Sequence, residues 1–336
     1  MSSKPTITQV AELSGVSIAS VSRYINNPDS VRDKTAKKIQ SAIDELNYPM
    51  RFNSEESNPE NNMKSKLILI NVPSVSNPFY DDIIRGIRRV ASKYGYFTLV
   101  NIHRTDTPSS ETALLNILER ISCSGIITLD AISKTLFDRL RQTLAFVQCC
   151  ENTENQNTVP YVTIDDRAAI TKIMDHLFSL GHEKIAFIGG PDKYKYSRHR
   201  REAYITALAN AGFNIKPHWI YQAYDVDFDI ALSAIRNLMS QGDRPTAVVT
   251  VSDVQAAAVI RYCTANGLSV PDDIAVTGFD NISLSQVTSS TITTIDQPKY
   301  QMGQTACELL IERIEKPNCV TRQMILDTEL IVREST

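Results

Sequence analysis

Thr-Ile-Thr-Gln-Val-Ala-Glu-Leu-Ser-Gly-Val-Ser-Ile-Ala-Ser-Val-Ser-Arg-Tyr-Ile-Asn, residues 6 to 26, reads as two short helices joined by a tight turn at Gly15. Thr6 can cap the first helix, with Gln9 three residues on completing a capping box. Val10, Ala11 and Leu13 supply a small apolar face. Gly15 suits the turn because glycine takes a left-handed conformation without steric cost. Ser17 then caps a second helix, with Val21 and Ile25 inward and Ile18, Ala19, Ser22 and Arg23 outward. A third amphipathic helix follows, with Ala36, Ile39, Ile43 and Leu46 at helical spacing and Lys34, Lys37 and Lys38 on its exposed face. This is a helix-turn-helix unit, whose second helix fits the width of the DNA major groove.

At 336 residues the chain is too long for one ordinary core, so a small and a large domain are expected. The net charge of −3 does not announce a nucleic-acid binder, because a large acidic domain can mask a small basic one. Residues 1 to 51 carry Lys4, Arg23, Arg32, Lys34, Lys37, Lys38 and Arg51 against Glu12, Asp29, Asp33, Asp44 and Glu45. Such a small basic excess predicts modest, salt-sensitive non-specific DNA affinity. Six cysteines show no Cys-x-x-Cys spacing, so no metal site is expected and reduced thiols are the default. The N-terminus has no apolar signal core and no run approaches a membrane span. A cytoplasmic protein without a membrane partner is expected.

Residues 51 to 65 are polar, non-periodic and interrupted by Pro59, and read as a linker. Beyond Lys66, short β-rich apolar runs alternate with helical segments. Strands are predicted at 67–72, 97–101, 125–129 and 146–149, with helices near 79–94, 110–122 and 133–142. A second series repeats the plan, with strands near 184–189, 219–223, 246–250 and 273–278 and helices near 166–180, 198–211, 228–240 and 252–266. Such alternation means parallel sheets in two Rossmann-like α/β lobes. Ligands of such sheets sit outside the C-terminal strand ends, so two facing lobes place a small molecule between them.

Polar or aromatic residues just after strands are the ligand candidates. The Ser-Asn-Pro-Phe-Tyr turn at 76–80 opens a helix and puts Phe79 at the cleft wall, or makes it a hydrophobic staple for that helix. Gly-Gly-Pro at 189–191 lacks the Gly-x-Gly-x-x-Gly spacing of a dinucleotide site, and no cofactor is expected. Arg198, Arg200 and Arg201 open a helix, and arginine's rigid fork suits a carboxylate, phosphate or vicinal hydroxyl pair. Asp280, after the strand ending at Gly278, can accept two hydroxyl hydrogens, as sugar recognition needs. Ser252 and Asp253 follow another strand; Asp253 could equally cap the next helix.

Val-Ala-Glu-Leu-Ser-Gly-Val-Ser-Ile-Ala-Ser-Val-Ser-Arg (10–23), with Asn26, Pro28 and Glu-Leu-Asn-Tyr (45–48), closely resembles the headpiece of the lactose/galactose-repressor family. The resemblance covers nearly the whole chain and is weakest at 49–65. It implies a helix-turn-helix headpiece at 1–50, a degenerate hinge at 51–65 and a two-lobed, periplasmic-binding-protein-like domain at 66–336. It gives lobe 1 about 66–163 plus 293–320 and lobe 2 about 164–292 plus 321–336, a last helix near 298–315 returning to the first and a strand near 324–332 to the second. It also implies a homodimeric repressor of double-stranded operator DNA, with no catalytic residues, whose effector is a nucleoside, purine or sugar. DNA contacts fall on Thr8, Ser17, Ile18, Ala19, Ser20, Ser22, Arg23 and Asn26. Effector contacts fall on Phe79, Arg200, Ser252, Asp280 and Gln297. Residues 77–87, 278–282, 294–300 and 328–336 are similar to nucleoside-responsive members, for which Phe79 would take the base and Asp280 with Arg200 the ribose hydroxyls. The chain departs from the family at Val226, a wall position often aromatic (Phe228 lies nearby), and at Ala203, which replaces a glycine. It also lacks the Ala-Arg-x-Leu hinge helix, so tolerance of variable half-site spacing is expected. A periplasmic-type solute-binding protein would share the body but not the headpiece. For a nucleoside- or sugar-processing enzyme the sequence offers no activated nucleophile, metal cluster or phosphate loop.

Overall fold

The computed structural model describes residues 5–26, 31–46, 48, 66–75, 77–105, 107–154, 157–240 and 242–336. The linker at 51–65 and its hinge residues lie outside the described residues. The chain divides into two compact units, Met1–Met63 and Lys64–Thr336.

The first unit holds three helices, α1 (Ile7–Ser14), α2 (Ile18–Asn26) and α3 (Asp33–Leu46). Thr6 and Gln9 form the capping box, and Gly15 ends α1 in the left-handed conformation at φ 66°. Ser17 Oγ accepts the Ser20 amide at 3.2 Å and so starts α2. Val10, Val21 and Ile39 are completely buried, with Ala11, Ala42 and Ile43 nearly so. Leu13, expected on the apolar face, is 45% exposed. One polar chain reinforces the packing: Tyr24 donates to Gln40, and Gln40 to Asp44.

The second unit carries two parallel sheets. The six-stranded sheet runs β11-β5-β4-β3-β1-β2, from β1 (Leu67–Val72), β2 (Phe97–Ile102), β3 (Gly125–Thr128), β4 (Ala145–Cys149), β5 (Tyr161–Ile164) and β11 (Gln323–Leu326). The four-stranded sheet runs β7-β6-β8-β9, from β6 (Ile185–Gly189), β7 (Ile220–Gln222), β8 (Ala247–Thr250) and β9 (Ala275–Thr277). A two-stranded antiparallel pair, β10 (Thr294–Asp296) with β12 (Glu329–Ile331), completes the strands. The helices are α4 (Phe79–Lys93), α5 (Pro108–Arg120), α6 (Lys134–Thr143), α7 (Asp166–Ser179), α8 (Lys195–Asn210), α9 (Phe228–Ser240), α10 (Asp253–Ala265) and α11 (Lys299–Glu315). Continuous burial of β3, β6 and β8 reflects parallel strands covered on both faces.

The expected C-terminal strand needs correction. Residues 324–332 do not form one strand of the second lobe: β11 pairs in parallel with β5 in the six-stranded sheet, and only β12 leaves it to pair with β10. The break falls at Asp327 and Thr328, where Lys172 of α7 donates to the Thr328 carbonyl. Ser335 then bonds the main chain of Val276, returning the C-terminus to β9.

Helices α4 and α11 pack unusually closely. A Cβ at Gly86 would overlap the Tyr300 carbonyl, and one at Gly303 would overlap that of Ile83. Absence of side chains there lets two backbones touch, which pins α11 against the first lobe.

Candidate ligand cleft and nucleic-acid interface

A cavity of about 60 Å³ lies beyond the C-terminal ends of both sheets. All five effector candidates, Phe79, Arg200, Ser252, Asp280 and Gln297, line it. Phe79 opens α4, its amide donating to Asn77 Oδ1 at 3.0 Å and its ring edge-on to Tyr80. It also belongs to the core; as the first residue of α4, after the N-cap Pro78, it does not occupy the N′ position of a hydrophobic staple.

Arg200 is 5% exposed and held on every side. Nε and Nη2 each lie 2.8 Å from Asp166 Oδ1, and Nη1 donates to the Val251 carbonyl at 2.9 Å. Its guanidinium sits between two rings, 3.4 Å from the Phe279 centroid and 4.7 Å from that of Tyr196. Three of the five N–H groups are engaged, leaving two for a ligand. Of the other arginines of this helix, Arg198 pairs with Glu154 and Arg201 with Asp192, both away from the cavity.

Asp280 adopts φ 103°, a strained turn fixed by its amide bonding the Ile295 carbonyl. Gln297 donates to Asp280 Oδ1 at 2.7 Å, while the Lys299 ammonium donates to the Asp280 main chain. Burial raises the Asp280 carboxyl to about 6, against the pull of Arg200 and Lys299. Ser252 Oγ accepts the Val254 amide at 3.1 Å and so caps α10. Asp253 is a structural bridge rather than a lining residue: it accepts from Thr294 at 2.6 Å and from the Ile282 amide at 2.8 Å. Burial, then the nearby Asp280, lifts it to about 8.

The sequence reading missed Glu151, Asp166, Tyr80, Tyr194 and Tyr196, all lining residues. Glu151, just past β4, accepts the Lys195 amide at 2.9 Å and that of Tyr196 at 3.2 Å, capping α8 from the other lobe. That burial raises it to about 7. Tyr194 and Tyr196 stack at 5.4 Å, and burial pushes both hydroxyls above their ordinary range. These tyrosines supply an aromatic wall beside Val226, which also lines the cavity. The helix begins at Lys195 rather than at the expected 198, which brings Tyr194 and Tyr196 to its first turn. Ala203 lies in the core and not on the cavity.

In the headpiece Thr8, Ser17, Ala19 and Arg23 are exposed, Ile18 is 48% exposed, and Ser20 and Ser22 are half-buried. Asn26 closes α2, and its side chain lies outside the described residues. One face of α2 thus presents an apolar end and one guanidinium, as a groove-reading helix requires. Among the described residues no acid, histidine and cysteine cluster could hold a metal, and no helix is long and apolar enough to cross a membrane. The six cysteines are free thiols.

A helix-turn-helix unit joined in one chain to a bilobed α/β body with a buried interlobe cavity defines a DNA-binding transcription regulator. The chain belongs to the LacI family of bacterial regulatory proteins. Residues 6–49 match the model for bacterial regulatory proteins of the lacI family, and residues 174–336 that for a periplasmic binding protein-like domain. It is 31% identical to the HTH-type transcriptional repressor CytR of Escherichia coli (strain K12), covering 98% of this chain and 96% of that one. It is 30% identical to the HTH-type transcriptional repressor PurR of Photobacterium profundum, covering 98% of each. Among solved structures, the transcriptional regulator CelR in complex with cellobiose matches with a TM-score of 0.75 at 26% identity, over 99% of this chain and 100% of that one.

Proposed function

We propose that this protein is a homodimeric repressor whose affinity for operator DNA is set by a nucleoside or sugar-like ligand held between the lobes. The observation that carries this reading is the convergence of five residues from distant segments, Phe79, Arg200, Ser252, Asp280 and Gln297, on one cavity between two sheets. Phe79 offers a face for a ring, Asp280 accepts ligand hydroxyls, and Arg200 donates to them. Ser252 and Gln297 hold the edges, the latter orienting Asp280. Residues 1–50 bind DNA chiefly through α2, with Thr8 of α1, Ser17 before α2, and Ile18, Ala19, Ser20, Ser22, Arg23 and Asn26 of α2 as contacts, residues 51–65 link, and 66–336 bind ligand and dimerise. Exposed Phe97 and Leu99 on the edge strand β2 supply apolar surface that a second copy would cover. Such a protein works in the cytoplasm beside its DNA and has no catalytic step to perform. Ligand would act by shifting the lobes and hence the presentation of the paired headpieces.

A thermal-shift screen of nucleosides, purine bases and pentoses tests the reading, since a ligand that binds the folded state raises its melting temperature. A hit that also changes operator affinity is the expected result. Absence of any stabilising compound whose action depends on Asp280 would contradict it.

A further inference from the structure

Cys149 ends β4 and is completely buried; Cys150 follows it, half-buried, and lines the interlobe cavity. Successive side chains of a strand point to opposite faces, so adjacent cysteines ordinarily keep their sulfurs apart. Here the Glu151 amide donates to the Cys149 carbonyl at 2.9 Å and Cys150 takes φ 71°, a γ-turn of the rare, strained form. The Cys150 amide donates to the Val162 carbonyl and its own carbonyl accepts from Thr163 Oγ1, at 2.9 Å each, which holds the turn in place. The two sulfurs lie 3.8 Å apart. Among the described residues they are the only thiols in contact.

We propose that Cys149 and Cys150 form a dithiol site, opening on the cavity, that captures a trivalent organoarsenical by bridging both sulfurs. A disulfide fits poorly. Its sulfurs must close to about 2.05 Å, usually between Cα atoms at least ~4.4 Å apart, whereas adjacent Cα atoms sit about 3.8 Å apart. One thiophilic atom between the sulfurs joins them without that closure. A divalent metal ion fits no better, because it needs thiolates and further ligands. Among the described residues no cluster of three acids, histidines or cysteines could supply them. The hydrogen bond to Cys149, then burial, hold the Cys150 thiol well above its ordinary range, so the neutral thiol is the reacting form. Methylarsonous acid carries one methyl and two hydroxyl groups on arsenic. Two S–H and two As–O bonds break, two As–S bonds form, and the protons leave with the hydroxyls as two waters. Arsenic stays trivalent, no oxidant is consumed, and no charge is left in the buried site. This chemistry is independent of which small molecule the cleft binds.

The reduced full chain is incubated with methylarsonous acid, then examined by intact mass and by alkylation of the remaining thiols. One methylarsenic group should be gained per chain with loss of two hydrogens, and Cys149 and Cys150 should be the protected cysteines. Excess glutathione, a monothiol, should not remove the adduct, whereas 2,3-dimercaptopropanol should. Cys150→Ser leaves one sulfur, and loss of the second bond should weaken apparent affinity roughly a hundredfold or more. Cys123→Ser should bind as the wild type does. Mapping on the wild type needs no variant, so the site stays testable if Cys150→Ser folds poorly. Protection of other cysteines, release by glutathione, or unchanged affinity in Cys150→Ser overturns the inference. Dilute hydrogen peroxide alone should leave both thiols open to alkylation. A disulfide between Cys149 and Cys150 would overturn the geometric argument and make the pair a redox switch instead.

Discussion

Arg104 Nη2 lies 2.7 Å from Asp225 Oδ2, closing an ion pair between the segment after β2 and the segment after β7. The two side chains belong to opposite lobes, so the pair holds the cleft mouth shut. Both ends are partly exposed, at 42% and 33%, which limits the contribution to about 0.2–1 kcal/mol. Arg104→Ala and Asp225→Asn should each weaken ligand binding by roughly 1.5- to 5-fold. A double-mutant cycle by calorimetry at low and high salt checks this. Additive losses, or a coupling indifferent to salt, would show that the contact does not govern closure.

Buried carboxyls should make the ligand-free fold less stable as pH rises. Asp253 is held up to about 8 and Glu151 to about 7, burial being the main cause for both. The groups facing Asp253 are Asp280, Thr294, the Ile282 amide and Lys299; those facing Glu151 are Lys195, the amides of Lys195 and Tyr196, and Asp166. In the unfolded chain these acids ionise near ~4. Between pH 6.5 and 8 the folded state therefore binds protons that the unfolded state does not, and stability falls with rising pH by at most ~1.4 kcal/mol per group per unit. The slope from Glu151 ends near its folded value, whereas that from Asp253 continues to about 8. His176, His182 and His199, all lowered by burial, oppose this trend only below their unfolded value of ~6.5. Melting curves across that window should show the highest midpoint at the acidic end; a flat or reversed series would contradict the assignment.

Gly86→Ala or Gly303→Ala should destabilise the body, although both positions are helical. Alanine gains ~1 kcal/mol of helix propensity over glycine. At these sites the new methyl meets a carbonyl of the opposing helix, and overpacking of that kind costs ~1–3 kcal/mol or more. Urea unfolding should record a net loss for each variant, and a gain would mean that α4 and α11 separate easily.

Arg23 is exposed on the outer face of α2. If it contacts a base edge, Arg23→Ala costs about 1–3 kcal/mol on the operator and relaxes preference at one position. Binding to a set of single-base operator variants distinguishes the cases. Uniform weakening across the set would assign Arg23 to a phosphate instead.

The headpiece was readable because its signals are local: Thr6 with Gln9, then Gly15, then a 3.6-residue pattern through Ile39 and Ile43. Strand–helix alternation made the two sheets equally plain. Two strands were not legible as placed. Tyr161–Ile164 follows Pro160 as a run of four residues, too short to show a period, and its position beside β4 decides where Gln323–Leu326 pairs. The site split in the same way. Phe79, Ser252 and Asp280 follow strands and could be found by position. Glu151 could not, because its partners are the amides of Lys195 and Tyr196, which only the folding of one lobe against the other brings near.

Ligand control of operator binding through Asp280 is the central claim, and one titration tests it. Operator sites selected from random DNA by the full chain are titrated with protein, with and without a saturating ligand from the screen, for the wild type and for Asp280→Ala. The account predicts a ligand-dependent change of about fivefold or more in operator affinity for the wild type. For Asp280→Ala it predicts ligand binding weakened by ~1.5–3 kcal/mol and the response lost, with sequence-specific DNA binding in the absence of ligand retained. Operator affinity unmoved by a ligand that saturates the cleft, or a full response in the variant, would contradict it.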